Sequence, residues 1–348
     1  MKVGILTFHG ADSYGAVLQA HALQHTLSVL GADSEFVQIG MRQESAPAQP
    51  SAPQPPFVRM LRAAGKKREA LFAAFRQAHL RISRSYAPTD PIAEDYDLFV
   101  AGSDQIWNFQ NPDFDARYFL PFARPEQRYS YAASFGAEAL PERAAAWAAD
   151  QLKQFCAISV REESGCRLVK DLTGRDAVVC LDPTLLPDRA HWQELAAPAP
   201  AEDYVLAFLL NYDEALVEAA KAEAQALGLP LRVVTASFMP QLGVEAWNGT
   251  GVTEWLGAIR GARCVFTNSF HGMVFSMIFE RRFRVRRLGG ELSSRNGRIE
   301  ELLAFLNLSG ALDHPVLPEY EQVWAKMEER RAGSLNYLKG LVSNDSAV

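Results

Sequence analysis

The chain has 348 residues, 48% of them hydrophobic and 22% charged, which is the profile of a folded globular protein long enough for two domains. A formal net charge of −6 gives no electrostatic support to a nucleic-acid or anionic-membrane partner. Four widely spaced cysteines and 7 scattered histidines make no zinc pattern, and cysteines used this sparsely fit reduced thiols in the cytoplasm.

The first element is a buried-type strand, Val3–Phe8, too short for the apolar core of a signal peptide; no apolar run of membrane-spanning length follows anywhere. After the loop HGADSYG comes a helix, Ala16–Leu30, closed by Gly31, and then a strand, Ser34–Ile39. This β–α–β unit predicts a parallel sheet. Residues 45–56, SAPAQPSAPQPP, are low in complexity and expected to be mobile. A basic helical stretch runs from about Val58 to His79. Its Lys66, Lys67 and Arg68 read best as a solvated face, with transient membrane-surface contact as the lesser reading.

Next come strand Leu98–Ala101, strand Arg128–Ser134, helix Glu142–Phe155, strand Ala157–Val160, helix Glu163–Val169 and strand Ala177–Leu181. The second half repeats the alternation with strand Tyr204–Leu210, helix Glu214–Leu227, strand Leu231–Thr235 and helix Val252–Gly261. Strand Arg282–Arg286, helix Ile299–Leu306 and a long helix from about Pro318 to Leu341 complete it. The expected architecture is two doubly wound α/β domains facing across a cleft, residues 1–187 and 188–348, the second carrying the terminal helix.

Between helix Val252–Gly261 and strand Arg282–Arg286 lies TNSFHGMVFSMIF, Thr267–Phe279, which reads as strand end, polar turn and helix. Such a turn sits where open α/β sheets bind ligands, and the helix start offers free N–H groups and a positive dipole end. His271 is therefore placed beside any bound anion, as an acid/base group or as a buried histidine capping its own helix. The loop holding Gly10, Ser13, Tyr14 and Gly15 would let backbone N–H groups approach a ligand, but it is not GxGxxG. In GSDQIWN, Gly102 to Asn108, a sugar face on Trp107 with Ser103, Asp104 and Asn108 bonding hydroxyls competes evenly with a Trp packed under its loop. Arg161 could grip a carboxylate or phosphate, or pair with Glu162 or Glu163. Arg295 and Arg298, in SSRNGR, are split between phosphate binding and a solvated loop. Asp182, before Pro183, reads as a shaper of the junction.

GILTFHGADSYGAVLQAHAL, DLFVAGSDQIWN, YAASFG, ISVREESG, LDPTLL, TNSFHGMVFSMIF and NGRIEELLAFLNL, in this order, resemble the polysaccharide pyruvyl transferase family. The resemblance spans residue 4 to about 308. It implies two Rossmann-like domains of GT-B type, no metal, and phosphoenolpyruvate as co-substrate with no cofactor. The acceptor would be a nucleotide- or lipid-linked sugar bearing two hydroxyls, and the product a cyclic pyruvate ketal on a cell-surface glycan precursor. His271 would then be catalytic, with Arg161, Asn268, Ser269, Gly272, Arg295 and Arg298 on the donor. The loops at Gly10–Gly15 and Ser103–Asn108 would take the acceptor. Many family members carry Arg two positions before the motif histidine, where Ser269 stands here. Two rivals stay open: a GT-B glycosyltransferase using a nucleotide sugar, and a non-catalytic glycan- or anion-binding protein with the same cleft.

Overall fold

The computed structural model describes residues 1–40, 56–236, 250–290 and 296–343, with backbone alone for 56–64. Residues 45–55 of the Pro-rich stretch, and Arg295, lie outside the described residues. The first sheet is parallel throughout, in the order β3 (Ile82–Tyr86), β2 (Asp33–Ile39), β1 (Lys2–Leu6), β4 (Leu98–Ala101), β5 (Arg128–Ser130). A parallel pair, β6 (Ser159–Val160) and β7 (Val178–Val179), continues it through bridges Tyr129 to Ala157 and Ala133 to Val160. The second sheet is also parallel: β11 (Arg282–Val285), β10 (Cys264–Thr267), β8 (Val205–Leu209), β9 (Leu231–Thr235).

Helices α1 (Tyr14–Val29), α2 (Pro56–His79), α3 (Glu142–Leu152), α4 (Glu163–Thr173) and α5 (Arg189–Leu195) belong to the first part of the chain. The second sheet is served by α6 (Glu214–Leu227), α7 (Val252–Gly261), α8 (Phe270–Ile278), α9 (Gly297–Leu306) and α10 (Tyr320–Ser343). The apolar run of α1 is buried nearly all round, and its polar Gln19 bonds inside: Nε2 donates to the Ala16 carbonyl and Thr7 Oγ1, while Oε1 has no partner among the described residues. All nine residues of α8 are buried.

The segment expected as strand Arg128–Ser134 stops at Ser130, because Ala132 takes φ 48° and breaks the extended run. Strand β3 and helix α5 have no counterpart in the sequence reading. The long final helix was expected wholly with the second half. Instead its C-terminal part returns to the first sheet: Tyr337 donates to the Ser130 carbonyl, and Leu338 and Leu341 join a core with Val3, Ile5 and Leu27.

The two halves also meet through α1. Tyr14 stacks on Trp255 at 5.1 Å between centroids, and its hydroxyl donates to the Thr250 carbonyl at 2.7 Å. Tyr14, Val17, Leu18 and Phe72 share one apolar cluster with Phe208, Val265 and Phe275. This brings the first helix start and the start of α8 together at the carboxyl ends of β1 and β10.

Candidate active site

The turn between β10 and α8 is fastened by its own polar groups. Ser269 is the N-cap, and its Oγ accepts from the Gly272 N–H at 3.2 Å, as N-cap serines do. Asn268 is fully engaged elsewhere: Oδ1 accepts from Leu210 N, and Nδ2 donates to the carbonyl and side-chain oxygens of Asn211. Gly272 lets the helix pass close over Thr267 Oγ1, which a Cβ would strike. The side chains of both thus shape the turn: Asn268 is spent on it, while Ser269 lines the pocket with His271 and its hydroxyl proton is not used by the cap.

His271 is buried, and its ring lies against the Gly15 backbone, where a Cβ would collide with Nδ1. On the other side, Nε2 is 3.4 Å from Asp182 Oδ2. Asp182 is the N-cap of a short turn, with Oδ1 accepting from the N–H and hydroxyl of Thr184. Its Oδ2 also accepts from Arg161 Nη1 at 2.7 Å. Burial opposes charge on Asp182, but His271, Arg161 and the Thr184 bonds outweigh it and hold the carboxyl well below its ordinary range.

Arg161 leaves β6 with a side chain only 2% exposed. Its partner is Asp182, with Glu162 and Asp104 farther off at 3.7 and 3.8 Å. Arg161 Nε and Nη2, and Arg298 Nε and Nη1, are buried with no hydrogen-bond partner among the described residues. Both guanidiniums lie over the Phe270 ring, at 5.3 and 5.2 Å. Burial, with Arg161 nearby, pulls the Arg298 guanidinium down to about 10. Two buried cations with unused N–H groups beside one aromatic ring have the chemistry to take an anion.

A pocket of 300 Å³ is lined by Ser13, Gly15, Asp104, Gln105, His271 and Arg298 among others, drawn from both halves. Asp104 stands in the left-handed region at φ 76°, 3.9 Å from Arg298 Nη1. Several sequence assignments do not reach this pocket. Trp107 is fully buried, stacked on Phe119 and packed on Phe135, with Nε1 donating to the Tyr118 carbonyl; it offers no face to a sugar. Asn108 closes its own turn by bonds to Gln105 and Gln110. Ser103 is entirely buried, its carbonyl accepting from Thr7 Oγ1. Tyr14 lines the pocket, but its hydroxyl is spent on Thr250 and burial pushes it up to about 12. Gly10 is exposed, with open space around it, and is not among the pocket's lining residues. Sequence reasoning missed Asp182, Glu162 and Phe270; an acid between a strand and a proline was the one available signal for Asp182.

Among the described residues no group of three or more His, Cys, Asp or Glu could hold a metal ion. No described helix is long and apolar enough to cross a membrane.

Two parallel α/β halves with a site between them define a GT-B-type enzyme fold. UDP-GlcNAc 2-epimerase from Neisseria meningitidis, bound to UDP-GlcNAc, aligns over 99% of this chain and 99% of its own at 8% identity, with a TM-score of 0.50. AviGT4, a glycosyltransferase involved in avilamycin A biosynthesis, covers 100% and 99% at 14% identity with a TM-score of 0.47. The Methanocaldococcus jannaschii UDP-GlcNAc 2-epimerase covers 95% and 93% at 12% identity with a TM-score of 0.46. At such identities the likeness concerns fold alone. No curated protein matches significantly. The family model for polysaccharide pyruvyl transferase matches residues 14–286, most of the chain, including the Gly15, Asp104, Arg161, Asp182 and His271 positions. The chain belongs to the polysaccharide pyruvyl transferase family.

Proposed function

We propose that this transferase moves pyruvate from phosphoenolpyruvate to two hydroxyls of a sugar in a cell-surface glycan precursor, forming a cyclic ketal. The observation that carries the reading is the pair of buried guanidiniums, Arg161 and Arg298, whose unused N–H groups lie beside the Asp182–His271 pair. A donor with a carboxylate and a phosphate suits such a pair, because each guanidinium can grip one planar or tetrahedral anion.

Ketal formation needs a proton at the donor's methylene carbon and attack by a sugar hydroxyl at the adjacent carbon. A second hydroxyl then closes the ring as phosphate leaves. His271 is the proton donor in this scheme, with the Asp182 carboxylate 3.4 Å from its Nε2. Nothing in this scheme uses a cofactor. The work would be done in the cytoplasm, where phosphoenolpyruvate and the glycan precursor meet.

The test is incubation with phosphoenolpyruvate and a panel of nucleotide- and lipid-linked sugars, read by phosphate release and product mass. Phosphoenolpyruvate should raise the melting temperature by binding the folded state, with UDP and GDP giving less. Stabilisation by UDP or GDP alone would hand the case to a nucleotide-sugar glycosyltransferase. Binding of phosphoenolpyruvate without phosphate release on any sugar would point to a non-catalytic protein.

A further inference from the structure

Glu162 occupies the N-cap of α4 with extended backbone, yet its side chain makes no capping bond. Instead the carboxylate turns inward and is 8% exposed. Its Oε1 accepts from Ser134 Oγ at 2.5 Å, and Oε2, 3.7 Å from Arg161 Nε, makes no hydrogen bond among the described residues. Ser134 Oγ itself accepts from the Gly136 N–H at 3.1 Å, so its single proton is directed to Glu162. That network holds the carboxylate as an acceptor with one oxygen in reserve.

Glu162 lines a second pocket, of 510 Å³, between the Gly136–Ala139 loop and the start of α9. Such a volume accommodates a sugar unit. Among the described residues its lining includes four acids, Glu138, Glu162, Glu300 and Glu301, and one arginine, Arg298. The acids repel an anion and accept hydrogen bonds from hydroxyls. Arg298 and Gln105 border both this pocket and the one containing His271, so the two meet at Arg298.

Building on the pyruvyl-transfer reading, we propose that the 510 Å³ pocket takes the hydroxyl-bearing ring of the acceptor sugar and that Glu162 is the general base for its attacking hydroxyl. As the hydroxyl oxygen bonds to the donor's central carbon, its proton passes to Glu162 Oε2. The enol's electron pair takes a proton from His271 at the methylene carbon, leaving a methyl group. The second hydroxyl then bonds to the same carbon while phosphate departs with the C–O electron pair and takes up that hydroxyl's proton. Proton return from Glu162 to His271 through solvent resets the site.

The experiment compares full-length wild type, Glu162→Gln and Glu162→Ala on the best sugar of the panel. Glu162→Gln should lower kcat about 100-fold, with the KM for phosphoenolpyruvate changed less than about threefold and the acid limb of the kcat–pH profile lost. Formate should restore part of the Glu162→Ala activity by occupying the space of the lost carboxylate. A Glu162→Gln enzyme of near-normal kcat would overturn the assignment. So would a loss that formate does not relieve and that leaves the pH profile unchanged, because Glu162 would then only support Arg161. An inactive wild type on every sugar overturns the pyruvyl reading and this one together; an active wild type with an active Glu162→Gln overturns this one alone.

Discussion

His271 Nε2 stands 3.4 Å from Asp182 Oδ2, so the acid that follows β7 orients the histidine that opens α8. The same oxygen accepts from Arg161, and one buried carboxylate therefore serves both the proposed acid/base group and the cation proposed to bind the donor. Asp182→Asn should lower kcat about 100-fold by leaving His271 without its anionic partner. It should also destabilise the protein by about 3–5 kcal/mol, the usual cost of breaking a buried pair and stranding one charge. Denaturant melts alongside kcat check both. A variant with lowered stability but normal turnover per folded molecule would make Asp182 a purely structural acid.

Gly15 is the backbone on which the imidazole rests. A methyl group there would strike Nδ1 and lie 2.6 Å from Cε1, so Gly15→Ala must push the ring away from Asp182. Because the glycine has ordinary helical backbone and not a left-handed one, the variant should fold. We expect kcat to fall at least about tenfold with stability changed by no more than about 1–3 kcal/mol, the range for overpacking. Unchanged kcat would mean that the position of His271 does not matter to the reaction.

Arg298 carries buried N–H groups without partners and a guanidinium depressed by burial and by Arg161, with Asp104, Glu162 and Asp182 pulling the other way. Such a cation is a cost to the fold unless an anion arrives. Arg298→Met should therefore leave the melting temperature unchanged or higher while weakening phosphoenolpyruvate binding about 10- to 100-fold, as expected for lost charge-assisted bonds. Calorimetric titration and thermal melts separate the effects. A large drop in stability with intact donor affinity would assign Arg298 to the architecture.

A separate group of histidines predicts acid sensitivity. His21 Nε2 and His191 Nε2 are 2.9 Å apart, with His25 stacked on His191 and His79 edge-on to His21; Asp188 is the acid acting on the cluster. Burial, then His191, lowers His21 to about 3, and burial, then His25, lowers His191 to about 4. The folded state binds fewer protons than the unfolded one in this window. Their contribution is complete above about pH 6.5 and is lost as pH falls toward 4 and then 3. His21 alone accounts for up to about 1.4 kcal/mol per pH unit there. His21→Gln should flatten the acid side of the stability profile; an unchanged slope would sink the idea.

The sequence by itself determined most of the order of strands and helices, β3 and α5 excepted, because apolar periodicity and glycine caps act over a few residues. Helices Glu214–Leu227 and Val252–Gly261 and strand Leu231–Thr235 have the limits read from their patterns alone. The turn TNSFHG was legible for the same reason: a polar interruption between a strand and a buried helix is a local signal. Only the tertiary structure decided which polar side chains face the cleft. Trp107 and Asn108 look like sugar ligands in sequence, yet they close on neighbours within their own loop and core. Asp182 looks like a junction acid and Glu162 like an ion-pair partner of Arg161, yet Asp182 also reaches His271 and Glu162 accepts from Ser134, both from distant parts of the chain. The return of α10 to the first sheet is equally invisible in its own residues. Side-chain direction and long-range pairing follow from how the two sheets stack, and no short-range pattern encodes that stacking.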